Sequence, residues 1–250
     1  MAWSYSKIES YFQCPQKFRL RYIEKVPTET KGTIHTFFGT MLHNVIERMY
    51  LEREKGRISS LNIIWNLFEN EWKNEFRKDE LLFSEKEPEF FLEGKRIIQE
   101  FYKKFLSDKS KTLFTETQFF LDLEGKQYCI RIDRLSKTDG VFEVRDYKTG
   151  KPKTRSELLR DYQLKAYALW VFENYQDARK VRLIWHYLRN MYDVDIELAR
   201  KDVKETKAFI KQRIDSVEKA IVEDRFPAVK SPLCNYCDFL EICKERETKR

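Results

Sequence analysis

Two aspartates and a lysine near the middle of the chain form a pattern that suits metal-dependent phosphodiester chemistry. Asp146 and Lys148 end an apolar, strand-like run, and alternate residues of a strand point to the same face. Asp139-Gly140 precedes that run and favours a type I′ turn, because both positions of such a turn need positive φ. If these two residues form the turn, the hairpin register places Asp133 directly across from Asp146.

Two carboxylates placed across a hairpin repel each other, and a divalent cation between them would offset that cost. Hard cations such as Mg²⁺ take oxygen ligands, including carboxylates. The same register places Lys148 across from Arg131, which predicts a basic flank for an anion such as a phosphate. A solvated surface hairpin without function is the alternative that these residues alone leave open.

Composition and charge narrow the class of protein. The chain has 250 residues, 42% of them hydrophobic, so we expect one large or two small domains with a buried core. The net charge of +7 favours an anionic partner such as nucleic acid, although a surface rich in Lys and Glu, typical of thermophilic proteins, also explains it. The sequence predicts no transmembrane helix and no signal peptide, so we expect a cytoplasmic protein.

The hydrophobic periodicity changes along the chain. A helix is predicted from near residue 6, where Ser6 and Glu9 form a capping-box pattern, and helical spacing continues over 36–54, 60–77 and 88–106. The second half predicts strands at 114–123, 127–135 and 141–147, a helix at 156–174, strands at 181–189 and 194–198, and a helix at 202–224. This order predicts an α/β (α+β) fold with a mixed sheet.

Cysteines suggest a second metal site. Cys234, Cys237 and Cys243 lie close together in the tail, and Cys14 is the natural fourth ligand. Sites of four cysteines hold zinc or an iron–sulfur cluster, and buried free thiols are the alternative. Cys129 is interpreted as ordinary strand packing.

Four further polar residues are candidates for a site. His43 lies on a predicted helix, and Gln163 and Tyr167 share one helical face because they are four residues apart. Glu116, on the first predicted strand, is either an acid outside the metal's direct ligands or a solvated residue. Each of these residues alone is more often structural than functional.

Taken together, the motifs resemble the RecB-like branch of the PD-(D/E)xK nuclease superfamily, specifically its iron–sulfur members. The resemblance rests on the order of the cysteines and of residues 39–43, 132–134, 146–150 and 163–167. Arg131 departs from it, since many members have glycine at that position. The resemblance implies one nuclease domain over 1–250, with a helical part to about 110, a restriction-endonuclease-like core over about 111–200, a central mixed sheet flanked by helices, and a C-terminal cysteine-cluster tail that packs on the N-terminus.

The resemblance also implies the site residues and the activity. Its implied catalytic residues are Asp133, Asp146, Lys148, Gln163 and Tyr167. Mg²⁺ or Mn²⁺ would be bound by His43, Asp133, Asp146 and the Tyr147 carbonyl, and a [4Fe–4S] cluster, or structural Zn²⁺ as the alternative, by Cys14, Cys234, Cys237 and Cys243.

The expected function is that of a metal-dependent DNA exonuclease that prefers single strands, in DNA repair or CRISPR spacer processing, with a protein partner in such a complex. The alternatives are a non-catalytic DNA-binding or scaffold protein with a metal-cluster staple, and a metal-dependent hydrolase or RNase. The sequence has no phosphate-loop motif of a helicase motor.

Overall fold

The computed structural model of the chain describes residues 2–29 and 32–243. The α-helices are α1 (Tyr5–Gln13), α2 (Pro15–Phe18), α3 (Ile34–Glu54), α4 (Leu61–Glu75), α5 (Glu87–Ser107), α6 (Arg155–Leu158), α7 (Tyr162–Asn174) and α8 (Thr206–Val222). The strands are β1 (Trp3–Ser4), β2 (Gly32–Thr33), β3 (Leu81–Leu82), β4 (Lys111–Leu123), β5 (Lys126–Thr138), β6 (Val141–Lys148), β7 (Lys180–Tyr187) and β8 (Tyr192–Ala199). Short turns of π-helix (Arg19–Ile23) and 3₁₀-helix (Lys78–Glu80, Ser84–Lys86, Arg200–Val203, Pro232–Tyr236) complete these elements.

The long strand β5 organises a mixed sheet. Strand β4 runs antiparallel along one edge of β5, while the other edge is shared by β1, which is parallel, and β6, which is antiparallel. Strand β7 is parallel to β6, and β8 is antiparallel to β7. With helices around this sheet, the predicted α/β architecture with a central mixed sheet is confirmed.

The β5–β6 hairpin has the register that its turn predicted. Asp139 and Gly140 have φ of 48° and 82°, as a type I′ turn requires. Pairing then runs from Thr138–Val141 to Arg134–Arg145 without a shift. It ends there, one residue short of the two aspartates.

Beyond that last pair, β5 and β6 diverge and leave what we call the β5–β6 gap. Lys148 pairs with Tyr187 of β7, and Arg131 pairs with Gln118 of β4. These pairs use the other edges of β5 and β6; because the β5–β6 pairing itself ends at Arg134–Arg145, the predicted pairing of Arg131 with Lys148 across the hairpin does not form. The two basic residues lie on strands that have already separated.

Strand β1 explains both the gap and the start of the first helix. Ser4 pairs with Cys129 and so uses the edge of β5 that β6 has left. Because Ser4 is extended, it is also the N-cap of α1, and its hydroxyl accepts a hydrogen bond from the Lys7 amide at 3.3 Å. The predicted capping box of Ser6 and Glu9 is wrong, since the helix already begins at Tyr5.

The helix predicted over 156–174 is two helices. α6 ends at Leu158, and α7 starts at Tyr162 after Asp161 caps it by accepting from the Gln163 amide at 2.8 Å. This break fixes Gln163 in the first turn of α7.

Two hydrophobic clusters support the fold. One fills the space between the sheet and helices α1, α7 and α8. The other lies among α3, α4 and α5 and is joined to the sheet through Tyr147 and Leu188. Tyr147 thus anchors the aspartate–tyrosine–lysine segment to the helical part of the molecule.

Gly94 is a point of close packing in the second cluster, and its substitution gives a stability prediction. A Cβ at this position would lie 2.4 Å from Cζ of Phe68, whose side chain is fully buried. We expect Gly94→Ala to destabilise the fold by about 1–3 kcal/mol, measured by urea denaturation. Gly150→Ala is the control, because its Cβ would meet no atom within 4 Å; equal stability of the two variants would contradict the packing argument.

The C-terminal tail returns to the N-terminal helices. Phe226 stacks with Phe18, their ring centroids 6.2 Å apart, and the Gln16 amide donates to the Pro227 carbonyl at 3.3 Å. Residues 244–250, with which the predicted domain ends, lie outside the described residues. Among the helices of the described part, none combines the length and the apolar character that crossing a membrane requires.

Candidate active site

His43 lies at the head of the β5–β6 gap, where α3 places it against the sheet. Its Nδ1 is 2.8 Å from Oε1 of Glu116, and its Nε2 is 2.9 Å from the carbonyl oxygen of Tyr147. Oδ2 of Asp133 lies 3.6 Å from the same Nδ1. Residues from a helix and three strands thus converge on one imidazole.

Several charged groups lie close together around His43, and they shift the pKa values of His43 and Asp133. Burial lowers the pKa of His43, but the carboxylates of Asp133 and Glu116 outweigh it and raise that pKa above its usual value. A raised pKa favours the protonated imidazole, which donates from both ring nitrogens and must lose the Nε2 proton before that nitrogen can bind a cation. Burial and the neighbouring acid Asp146 raise the pKa of Asp133, while His43 and the Tyr147 amide, which donates to Oδ2 at 2.8 Å, oppose that rise.

Glu116 is brought into the site by an irregular strand. The pairs Thr115–Arg134 and Thr117–Ile132 on either side of it place Glu116 across from Asp133. Its φ of 43° is unusual for a residue other than glycine, and such strain is common at functional sites. The sequence offered this residue as an outer acid or a solvated one, and the structure places it in direct contact with His43.

Asp146 and Lys148 form an ion pair beside this cluster, in which the carboxylate is buried and the lysine side chain is 38% exposed. The Asp146 side chain is 2% exposed, and its Oδ2 lies 2.6 Å from Nζ of Lys148. Burial lowers the pKa of Lys148, but the carboxylate of Asp146 outweighs it and raises that pKa above its usual value. Lys148 is therefore a fixed positive charge.

Helix α7 contributes the glutamine and the tyrosine. Nε2 of Gln163 donates to the hydroxyl oxygen of Tyr167 at 2.9 Å. Burial, Asp146 and Asp133 all raise the pKa of Tyr167, so its hydroxyl keeps its proton. Asp161 also lies here, with its Oδ2 3.9 Å from Nζ of Lys153; the sequence signal for it was an aspartate at a helix N-cap.

The cluster can hold a divalent cation. His43, Glu116 and Asp133 each offer a ligand atom within 4.8 Å of the others. Nε2 of His43 and the Tyr147 carbonyl already face each other, so a cation between them would supply the positive charge that the imidazolium supplies now. Carboxylate and carbonyl oxygens suit Mg²⁺ and Mn²⁺, and the donor set therefore fits such an ion.

Glu116 is placed to orient His43, as carboxylates commonly do for a metal-binding histidine. We expect Glu116→Gln to weaken Mn²⁺ binding by about 10–100-fold, because the imidazole would lose its charged partner at Nδ1. Isothermal titration with Mn²⁺ measures this. Glu124→Gln, in the exposed β4–β5 turn, is the matched control, and equal affinities for the two variants would exclude the orienting role.

The four predicted cluster cysteines line one cavity, which we call the cysteine cavity. Its volume is about 300 Å³, and Cys14, Cys234, Cys237 and Cys243 contribute to its lining together with apolar residues of α2 and the tail. In the described part of the chain, no three of these sulfurs lie within 4.8 Å of one another. Cys129 is not among the lining residues and belongs to β5.

The chain is similar to known proteins over almost its whole length. The family model described as the PD-(D/E)XK nuclease superfamily matches residues 2–244. The Gene 69 proteins of Mycobacterium phages L5 and D29 are each 25% identical to the chain, and each alignment covers 96% of it and 95% of the relative.

A solved structure from Eubacterium rectale, described as a candidate exonuclease, superposes with a TM-score of 0.54 at 13% identity, covering 94% of this chain and 86% of that one. At that identity the likeness shows the fold alone, and the family match carries the assignment. The chain belongs to the PD-(D/E)XK nuclease superfamily.

Proposed function

We propose that this nuclease is a divalent-metal-dependent DNA exonuclease that prefers single strands. The convergence of His43, Glu116 and Asp133 at the head of the β5–β6 gap, beside the Asp146–Lys148 pair, is the observation that carries the proposal. The net charge of +7 supports an anionic polymer as substrate. The family resemblance supports DNA and single strands.

Mg²⁺ or Mn²⁺ would be held by Nε2 of His43, the carboxylates of Asp133 and Asp146, and the Tyr147 carbonyl. When bound, the ion would neutralise charge on the scissile phosphate and lower the pKa of a water molecule. Glu116 orients the imidazole through Nδ1.

Lys148 has the charge and the position to act on the phosphate. Its ammonium is kept protonated by the adjacent Asp146, so it offers N–H donors rather than a base. Donors aimed at charge that develops in a transition state lower the barrier without reorganisation. We assign Lys148 to the non-bridging oxygens of the scissile phosphate.

Gln163 and Tyr167 complete the proposed site. Their mutual hydrogen bond fixes both polar groups on one face of α7. Since the Tyr167 hydroxyl remains protonated near Asp146, it can donate a hydrogen bond there. These two residues would position the substrate strand or the ion pair of Asp146 and Lys148.

The test uses linear and circular single-stranded DNA of the same sequence, with label at either end of the linear form. Mg²⁺ or Mn²⁺ should support stepwise loss of nucleotides from the linear strand, and EDTA should stop it. Cleavage of the circle would identify an endonuclease. Digestion of RNA in preference to DNA, or no digestion with either ion, would overturn the proposal.

We also propose that the cysteine cavity binds a [4Fe–4S] cluster. A tetrahedral zinc site needs four sulfurs about 3.8 Å apart, given Zn–S bonds of about 2.3 Å. A cluster binds each sulfur at a different iron and therefore needs them farther apart. That all four cysteines line one cavity of about 300 Å³ supports a shared metal site there, and the family resemblance supports the cluster over zinc.

The cluster is tested by anaerobic purification, a visible absorption spectrum and iron and sulfide analysis. Wild-type protein should contain about four irons per chain and show a broad absorption band at the blue end of the visible spectrum. Cys14→Ser should lose the band, while the control Cys129→Ser should keep it. A colourless protein that contains zinc would replace this proposal with the zinc alternative.

The same proposal includes the domain organisation, the cellular location and the partner of the enzyme. A single nuclease domain over residues 1–250, a cytoplasmic location and a partner in a DNA repair or CRISPR complex are part of the same proposal. A reducing compartment would suit the five cysteines.

A further inference from the structure

Arg131 stands at the rim of the proposed site with most of its side chain in solvent. It lies on β5 two residues before Asp133, and its side chain is 65% exposed. Its Nε is 2.9 Å from Oε2 of Glu116, whose side chain is only 9% exposed. An exposed guanidinium is thus anchored to an acid inside the site.

The anchor leaves one edge of the guanidinium available. The ion pair with Glu116 is made through Nε, and most of the Arg131 side chain is exposed, so we take its two Nη groups as available to a ligand. Paired N–H donors on one edge match the oxygens of a phosphate. Glu116 also fixes the direction of this edge, because its other oxygen accepts from His43 at 2.8 Å.

The charged residues of the site lie on both sides of the β5–β6 gap, and Arg131 is a basic residue on the β5 side. Glu116, Asp133 and Asp146 bring three carboxylates into the site, and His43, Arg131 and Lys148 are their basic partners. Lys148 is paired with Asp146 on β6, whereas Arg131 lies on β5, across the β5–β6 gap. A strand with its scissile phosphate at the acids and Lys148 would bring a neighbouring phosphate within reach of the β5 side.

We propose that Arg131 binds the phosphate adjoining the scissile one, so that the site selects strands that continue past the cleaved bond. The proposal rests on the proposed function for the position of the scissile phosphate. It makes Arg131 a determinant of substrate length that acts through affinity rather than through the chemical step.

Arg131→Ala tests this, with Arg182→Ala as a matched control. Arg182 is also an exposed strand arginine, bound to Asp195 at 2.9 Å, and it lies toward the opposite end of β7 from the site. We expect Arg131→Ala to raise the KM for a single-stranded twelve-nucleotide DNA by about tenfold with little change in kcat. A dinucleoside monophosphate, which lacks the adjoining phosphate, should show a much smaller rise.

Binding without metal provides a readout that does not need catalysis. In fluorescence anisotropy, Arg131→Ala should reduce the salt dependence of single-strand affinity by about 0.7 in slope, the effect of one lost phosphate contact. Equal losses of kcat on both substrates with an unchanged slope would show that Arg131 acts only through Glu116, and the proposal would fail. Failure of the wild type to cleave DNA while this slope still changes would overturn the proposed function and not the phosphate contact.

Discussion

Replacing Lys148 with alanine should lower the single-turnover rate of DNA cleavage by at least about 10²–10³-fold. The ammonium is the positive charge paired with Asp146 at 2.6 Å, and it remains protonated because of that carboxylate. Its loss removes donors that are already oriented before the substrate binds. DNA affinity should change by only a few-fold, since Lys148 would contact one phosphate of many.

The matched control is Lys180→Ala, which removes an exposed lysine on β7 that pairs with Glu197 at 2.5 Å. Both rates should be measured at saturating Mn²⁺, and both affinities by anisotropy in EDTA. Asp146 becomes a buried acid without its ammonium in Lys148→Ala, so thermal unfolding must show that the variant is folded. Cleavage within threefold of wild type would remove Lys148 from the chemical step.

The hairpin was predictable because its determinants are local. Asp139 and Gly140 set the turn, the turn set the register, and the register brought Asp133 and Asp146 to the end of the ladder. The prediction failed where tertiary structure intervenes. β1 occupies the edge of β5 beyond the ladder, and a two-residue strand from the other end of the chain has no pattern of its own.

Some site residues could be predicted from the sequence more easily than others. His43, Gln163 and Tyr167 were candidates from their helical positions, but only the resemblance favoured a functional role over a structural one, because single polar residues on helices carry little information. The contact of Glu116 with His43 depends on a positive φ within a long strand, and the residue's type does not reveal that conformation. Arg131 was noted as a departure from the family pattern, but its ion pair with Glu116 depends on the tertiary structure and could not be predicted.

Arg134→Met should destabilise the protein by about 3–5 kcal/mol, the largest stability effect that we expect from one substitution. The Arg134 side chain is fully buried, and its guanidinium lies 3.6 Å from the centroid of the Tyr50 ring. It binds Asp108 at 2.9 Å, Ser110 at 2.5 Å and Thr112 at 3.1 Å. Methionine would fill part of the space but remove the guanidinium from all three groups, although Asp108 keeps its hydrogen bonds from Tyr50 and the Ser110 amide.

The matched control is Arg182→Met, because that arginine is also in an ion pair but is 44% exposed. Exposed pairs contribute about 0–1 kcal/mol, so its urea midpoint should stay near that of wild type. The double variant Arg134→Met/Asp108→Asn should be less destabilised than the sum of the single variants, because the second change removes an acid that the first has left unpaired.

The pH dependence of stability gives a second, independent test of the Arg134 prediction. Burial raises the pKa of Asp108, but Arg134 and the hydrogen bonds from Ser110 and Tyr50 outweigh it and hold that pKa well below its usual value. A depressed folded-state pKa stabilises the fold above the unfolded value of about 3.9 and loses that effect as pH falls below it. Without Arg134 the depression becomes smaller, because the hydrogen bonds from Ser110 and Tyr50 then lower the pKa of Asp108 without the guanidinium. The stability difference between wild type and Arg134→Met should therefore shrink from pH 7 toward pH 3. A difference that stays constant over that range would show that the loss comes from packing against Tyr50 and not from the buried charge pair.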